Sequence, residues 1–200
     1  MRTMEGYMEV SVFQKPKAGN ACCGDSYYYK EQDSEFVCVL ADGLGSGRLA
    51  KESSQAVIEV VERCYHHSIN TIVEKCNEAL TDKRGVVLGL LKVDYEDSTY
   101  AFTSVGNVGI VVMGPNGKRR KHIPTAGYLS GNNRKCNVVK ESLTEEDKIF
   151  MFSDGVNERH LLNNVDENDT ISSVVKRYAH RGESDIQDDA TLIGMKYYRA

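Results

Sequence analysis

The chain reads as an α/β protein of the α+β kind, a layered sandwich of antiparallel sheets and helices. Three observations predict this. Strand-like apolar segments outnumber helical ones, they come in groups joined by hairpin-length turns, and two consecutive helical patterns and later a third interrupt the groups. Short turns favour antiparallel pairing, because a parallel pair needs a crossover of about a dozen residues.

Met8 to Phe13 alternates in strand fashion, and Ser26 to Lys30 and Phe36 to Ala41 give two more strands around the polar turn "EQDSE". The N-terminus is therefore expected to form an antiparallel meander. From Gly47 to His66 the residues Leu49, Ala56, Val57, Val60, Val61 and Cys64 recur at helical spacing, and Ser68 to Leu80 repeats the pattern. Gly85, after "TDKR", is the expected C-terminal cap. Val86 to Val93, Thr99 to Ser104 and Val108 to Met113 read as strands of a second sheet. Thr125 to Asn133 is irregular, and Ile149 to Phe152 is a short buried strand. Asn168 to Gly182 forms the last helix, begun by Asp169-Thr170, and Ala190 to Tyr197 the last strand.

Two hundred residues suffice for one domain, expected to span 1–200, with no repeats, low-complexity tracts or Pro-rich linkers. A net charge of -4 argues against nucleic acid or an anionic membrane as principal partner. The basic run "GKRRKH" follows the turn signal "MGPNG" and reads as a solvated hairpin. No apolar run has the length of a signal peptide core or a bilayer span, so a cytoplasmic protein is expected. The six cysteines contain no CxxC pair and read as mostly reduced, small core residues.

Several aspartates share one local grammar, lying where a strand meets a Gly- or Asp-marked turn. They are Asp25 in "CCGDSYYY", Asp42 in "VLADGLGSG", Asp154 in "FMFSDGVNE", and Asp188 and Asp189 in "QDDATLIGM". Taken alone, Asp42 reads as a turn carboxylate that bonds its own loop. Taken together, carboxylates projecting from strand ends toward one place repel each other unless a cation sits among them. Oxygen ligands without nearby His or Cys suit Mg²⁺ or Mn²⁺ rather than zinc.

The order "GD", "ADGLGSG", "SDG", "DDAT", with the hairpin "TSVGNVGIVV", resembles the PPM-type metal-dependent serine/threonine phosphatases, specifically the small SpoIIE-like bacterial branch. The resemblance covers nearly the whole chain. It implies a four-layer sandwich of two antiparallel sheets flanked by helices, with two Mn²⁺ or Mg²⁺ ions in a cleft at one edge. It also implies a bridging Asp42, a Gly43 carbonyl ligand, and Asp154 and Asp188 completing the second ion, with a metal-bridged hydroxide attacking phosphorus. Asp25 matches a residue that binds directly or through water, and Asp189 is a further candidate ligand. Implied substrates are phosphoserine or phosphothreonine proteins, namely STAS-domain components of a stress complex, with negative feedback on sigma-B by a monomeric phosphatase. Two departures stand out. Leu44 occupies the place of a histidine proposed elsewhere as general acid, and only Lys15 and Lys17 lie where many relatives carry a phosphate-binding arginine. Phosphate docking and leaving-group protonation are therefore expected to rely on the ions and their water.

Two rival readings fit some of the same residues. "DGLGSG" also resembles the Gly box of ATP-binding anti-sigma kinases, and "EKCNEA" at Glu74 to Ala79 imitates their metal box, but the order of the two is reversed. The other rival is a catalytically weak scaffold of the phosphatase fold. His66 and His67 read as helix-end residues, Tyr27 to Tyr29 as strand residues, His160 as a packing residue beside Leu161 and Leu162, and Asp185 as part of a solvated loop.

Overall fold

The computed structural model describes residues 8–132, 136–182 and 187–198, and for 181 and 182 the backbone alone. Its strands are β1 (Met8–Lys15), β2 (Asp25–Glu31), β3 (Glu35–Gly43), β4 (Val86–Asp94), β5 (Thr99–Val105), β6 (Gly109–Met113), β7 (Arg119–Lys121), β8 (Val139–Ser142), β9 (Lys148–Phe152) and β10 (Ala190–Tyr197). Its helices are α1 (Arg48–Cys64), α2 (Ile69–Glu78), α3 (Glu158–Leu162) and α4 (Ile171–Gly182).

The strands form two antiparallel sheets, ordered β1-β10-β9-β6-β7 and β2-β3-β4-β5-β8. The two-residue side-chain period of β3 explains the layering. Phe36, Cys38 and Leu40 face the other sheet, meeting Ile149, Met151, Ile193 and Met195 in the central core. The alternate residues Val37, Val39 and Ala41 face outward onto Val57, Ile58 and Val61 of α1 and Ile72, Val73 and Cys76 of α2. On the far side, Phe150, Phe152 and Leu192 pack against Leu161 of α3 and Val174, Val175 and Tyr178 of α4. The result is the expected sandwich, helices outside and two sheets within.

Strand pairing departs from the expected grouping. β2 and β3 form the predicted hairpin, but β1 pairs along its whole length with β10, from Met8↔Tyr197 to Lys15↔Ala190, so there is no N-terminal meander. The second group divides likewise: β4 and β5 extend the β2-β3 sheet, and β6 crosses into the other one. Local alternation says which faces are apolar but not which edge a strand joins. At the end of α2 the cap falls on Ala79, whose N–H bonds to Lys75 O and Asn77 O, rather than on Gly85. β8 and α3 were not expected, being too short for their periodicity to register.

The basic hairpin is a strand tied down by ion pairs. Lys121 meets Glu158 at 2.7 Å, and Arg119 donates to Leu162 O at 2.7 Å. Arg120 meets the fully buried Asp147 at 2.9 Å and Glu141 at 3.6 Å, linking the β7 and β8 edges of the two sheets. Arg120→Ala takes the cation from the buried Asp147 carboxylate and leaves it the Thr144 N–H at 2.8 Å, and denaturant unfolding should show a loss of about 2 kcal/mol. The cysteines in the described residues are free thiols. Burial pushes Cys76 up to about 12, keeping it unreactive, as expected of a core residue.

Candidate active site

At one edge of the sandwich, strand ends from both sheets converge. In the β2-β3-β4-β5-β8 sheet Asp25, opening β2, is the cross-strand partner of Asp42, next to the end of β3. In the other sheet, Asp154 follows Ser153 just beyond the end of β9, and Asp188 and Asp189 lead into β10, β9's neighbour. Between them lies a cleft of about 600 Å³ lined by Asp42, Gly43, Leu44, Asp154, Asp188 and Lys17, among others.

The turn after Asp42 needs its glycines. A Cβ at Gly43 would overlap the carbonyl of Ala50 on α1, so the β3 end can press against the helix only without a side chain. Gly45 sits at φ +95°, in the left-handed region, and lets the chain swing into α1.

Asp25 is fully buried beneath the cleft. One carboxylate oxygen accepts from Ser153 Oγ at 2.8 Å and Thr191 Oγ1 at 2.7 Å, which stitches one sheet to the other. The other oxygen is buried with no hydrogen-bond partner. Asp154 accepts from Asn107 Nδ2 at 2.7 Å, and Asp188, half exposed, faces Lys17 Nζ at 3.5 Å. Asp189 differs from the rest. Its two oxygens accept from the backbone N–H groups of Lys17 at 2.8 Å and Gly24 at 2.9 Å, so it anchors the β1–β2 connection against β10. Asp185 lies outside the described residues.

Burial, followed by the negative charges of Asp25, Asp154 and Asp188, pushes the Asp42 carboxyl up to about 8. Asp25 is raised by burial first, against the opposing pull of its two hydroxyl donors, and Asp154 by burial and by Asp188. These groups resist simultaneous ionisation. Among the described residues no three His, Cys, Asp or Glu side chains are arranged to hold an ion as they stand, since Asp154 and Asp188 turn to Asn107 and Lys17. The donor chemistry nevertheless fits a hard divalent ion. The set is oxygen-only, one buried carboxylate oxygen is unsatisfied, and the excess charge is of the sign a cation offsets.

Asn107, Ser153, Thr191 and Lys17 had no assigned role in the sequence reading as partners of these aspartates. Ser153 and Thr191 stand inside the "SDG" and "DDAT" signatures, while Asn107 occupies the "VGN" turn. His160 packs by Tyr178 with ring centroids 6.0 Å apart, as a structural residue. The kinase metal box fails on geometry: Asn77 is buried, its Oδ1 accepts from Ser130 N at 2.9 Å and Gly131 N at 3.0 Å, and its Nδ2 donates to Asn132 O.

The family model described as Stage II sporulation protein E (SpoIIE) matches residues 32–198. The chain belongs to the SpoIIE family. This SpoIIE-family chain is 33% identical over 183 residues to phosphoserine phosphatase RsbX of Bacillus subtilis (strain 168), with 90% of the chain and 92% of RsbX covered. Its fold superposes on a crystal structure of RsbX in complex with magnesium at a TM-score of 0.89, with 31% identity and 96% of each chain covered. A structure from work on the bacterial stressosome as a modular system matches at a TM-score of 0.82, with 26% identity, over 94% of this chain and 98% of that one. The two antiparallel sheets with flanking helices are thus the SpoIIE-family fold, as the motif resemblance implied.

Proposed function

We propose that this chain hydrolyses phosphoserine and phosphothreonine on protein substrates using two divalent ions, Mn²⁺ or Mg²⁺, as one catalytic domain over 1–200. The chain is a protein phosphatase of the metal-dependent SpoIIE type. The observation that carries the finer reading is the meeting of Asp25 and Asp42 from one sheet with Asp154 and Asp188 from the other at one cleft, where burial and mutual repulsion hold Asp42 at about 8.

The residues that would hold the ions are Asp42, the Gly43 carbonyl, Asp154 and Asp188, with Asp25 behind Asp42. When bound, such ions activate water and neutralise the charge that develops on a transferring phosphoryl group. The chain's own contribution is positioning. Ser153 and Thr191 fix Asp25, Asn107 orients Asp154, and the pressed Gly43 turn sets Asp42 against the cleft. Lys17 is a cation of the cleft wall, beside Asp188, and would attract a phosphate there. Leu44 offers no proton, so the leaving oxygen must take one from water.

The stressosome relationship of one structural relative and the likeness to RsbX support, as substrates, phosphorylated STAS-domain proteins of a stress complex. In this reading the chain acts as a cytoplasmic monomer in negative feedback on sigma-B. Among the described residues no helix is long and apolar enough to cross a membrane. A phosphoserine peptide and a small aryl phosphate, each assayed with Mn²⁺, with Mg²⁺ and in excess EDTA, test the chemistry. Hydrolysis should vanish in EDTA and return with Mn²⁺ at least as well as with Mg²⁺. Full turnover in EDTA would exclude the metal mechanism.

A further inference from the structure

The cleft lining is acidic, yet one rim of it is basic and apolar. Leu44 lines the cleft, its N–H donates to Gly85 O at 2.8 Å, and its carbonyl accepts from Arg84 Nη1 at 3.5 Å. The Arg84 guanidinium therefore overhangs the Asp42 turn, so close that a methyl on Gly45 would collide with Nη1. Tyr128 comes from a third segment. Leu129 beside it exchanges two 2.9 Å backbone hydrogen bonds with Val86, which pins the Tyr128 ring over Gly85 next to Leu44. Tyr128 as a residue is 47% exposed. Three separate segments thus hold Leu44, Arg84 and Tyr128 together by backbone bonds at the mouth of the cleft.

Charge decides what such a rim receives. Among the described residues no carboxylate pairs with Arg84, whose guanidinium makes a long hydrogen bond to Leu44 O. A separate groove along α1 is lined by Arg48, Lys51 and Lys83 together with Glu52 and Glu59, with Arg48 paired to Glu52 at 3.4 Å, so its charge is mixed. The cleft lining carries Asp154 and Asp188 with Lys17 beside them, which disfavours an acidic segment there, whereas Arg84 sits at the Leu44 side and offers an acidic segment a cation.

We propose that Leu44, Arg84 and Tyr128 form the docking surface for the substrate chain beside its phosphoserine, taking an apolar residue against Leu44 and Tyr128 and an acidic side chain on Arg84. The assignment rests on the phosphatase reading above and adds substrate choice to it. Arg84 is a specificity residue: its guanidinium bonds the Leu44 carbonyl and none of the site carboxylates, so its loss should leave the chemistry on a small ester intact.

The test pairs two phosphoserine peptides, one with Asp and Leu beside the phosphoserine and one with Lys and Ala, with an aryl phosphate, all in Mn²⁺. Arg84→Glu should lower kcat/KM for the acidic peptide about tenfold, mostly through KM, and raise it for the basic peptide. Turnover of the aryl phosphate should stay within about twofold, and Arg84→Lys should restore part of the peptide preference. Tyr128→Ala should weaken the Leu-bearing peptide by roughly fivefold without reversing the charge preference. Equal losses on peptide and aryl phosphate, or no change on either, would overturn the docking surface. If wild type hydrolyses none of the three, the phosphatase reading fails by itself. Fluorescence anisotropy of the labelled acidic peptide then decides the docking claim: weaker binding to Arg84→Glu supports it, and equal binding overturns it.

Discussion

Asp42→Ala and Asp154→Asn should each lower turnover of a phosphoserine peptide by roughly a thousandfold, since each takes a ligand from one shared centre. Asp42 is the residue on which burial and the charges of Asp25, Asp154 and Asp188 converge, and Asp154 is held by Asn107 at the opposite wall. Because the aspartates act as a unit, the double variant should be little worse than the worse single one. Steady-state rates for the four proteins, with folding checked by circular dichroism, decide the matter. Losses that multiply would mean that the two side chains serve separate sites.

Stability in chelator should fall as pH rises, and metal should reverse it. In the folded chain Asp42 keeps its proton up to about 8, against an ordinary value of 3.8, through burial first and neighbouring carboxylates second. Between those values the folded form binds more protons than the unfolded one, so unfolding releases protons and becomes easier as pH rises. The cost is absent below about pH 4 and complete above about pH 8, where it amounts to roughly 2–5 kcal/mol. Asp25 and Asp154, shifted the same way, act in the same direction. Wild type in EDTA should therefore melt lower at pH 8 than at pH 5, and Asp42→Asn should flatten that dependence.

A ligand that binds only the folded form adds about 2.7 kcal/mol at a hundredfold excess over its Kd, or roughly 5–10 °C in a domain of this size. Asp154→Asn removes a repelling charge together with a ligand. It should melt above wild type in EDTA and gain much less from Mn²⁺, so the two stability curves cross. Calorimetry of both proteins, with and without Mn²⁺ at pH 5 and pH 8, checks this. Equal melting of wild type in EDTA and in saturating Mn²⁺ would return Asp42 to a plain turn residue.

What the sequence determined by itself was local. The unbroken apolar run Phe36 to Ala41 marked a buried strand, and the helical period of residues 47–66 and 68–80 marked the α1–α2 layer. The glycines beside Asp42 and Asp154 marked turns where a strand ends in a carboxylate. Such features depend on residues within a turn or two of one another, so the order of letters carries them. Tertiary structure alone decided that β1 closes against β10, and that Asp189 spends both oxygens on the backbone of Lys17 and Gly24. It alone decided that Leu44, Arg84 and Tyr128 share one rim. Asp188 and Asp189 are adjacent in the chain and share one acidic signature, yet only Asp188 faces the cleft cation Lys17. The physical reason is that neighbouring residues near a strand point in different directions, and what each meets is set by segments more than a hundred residues away.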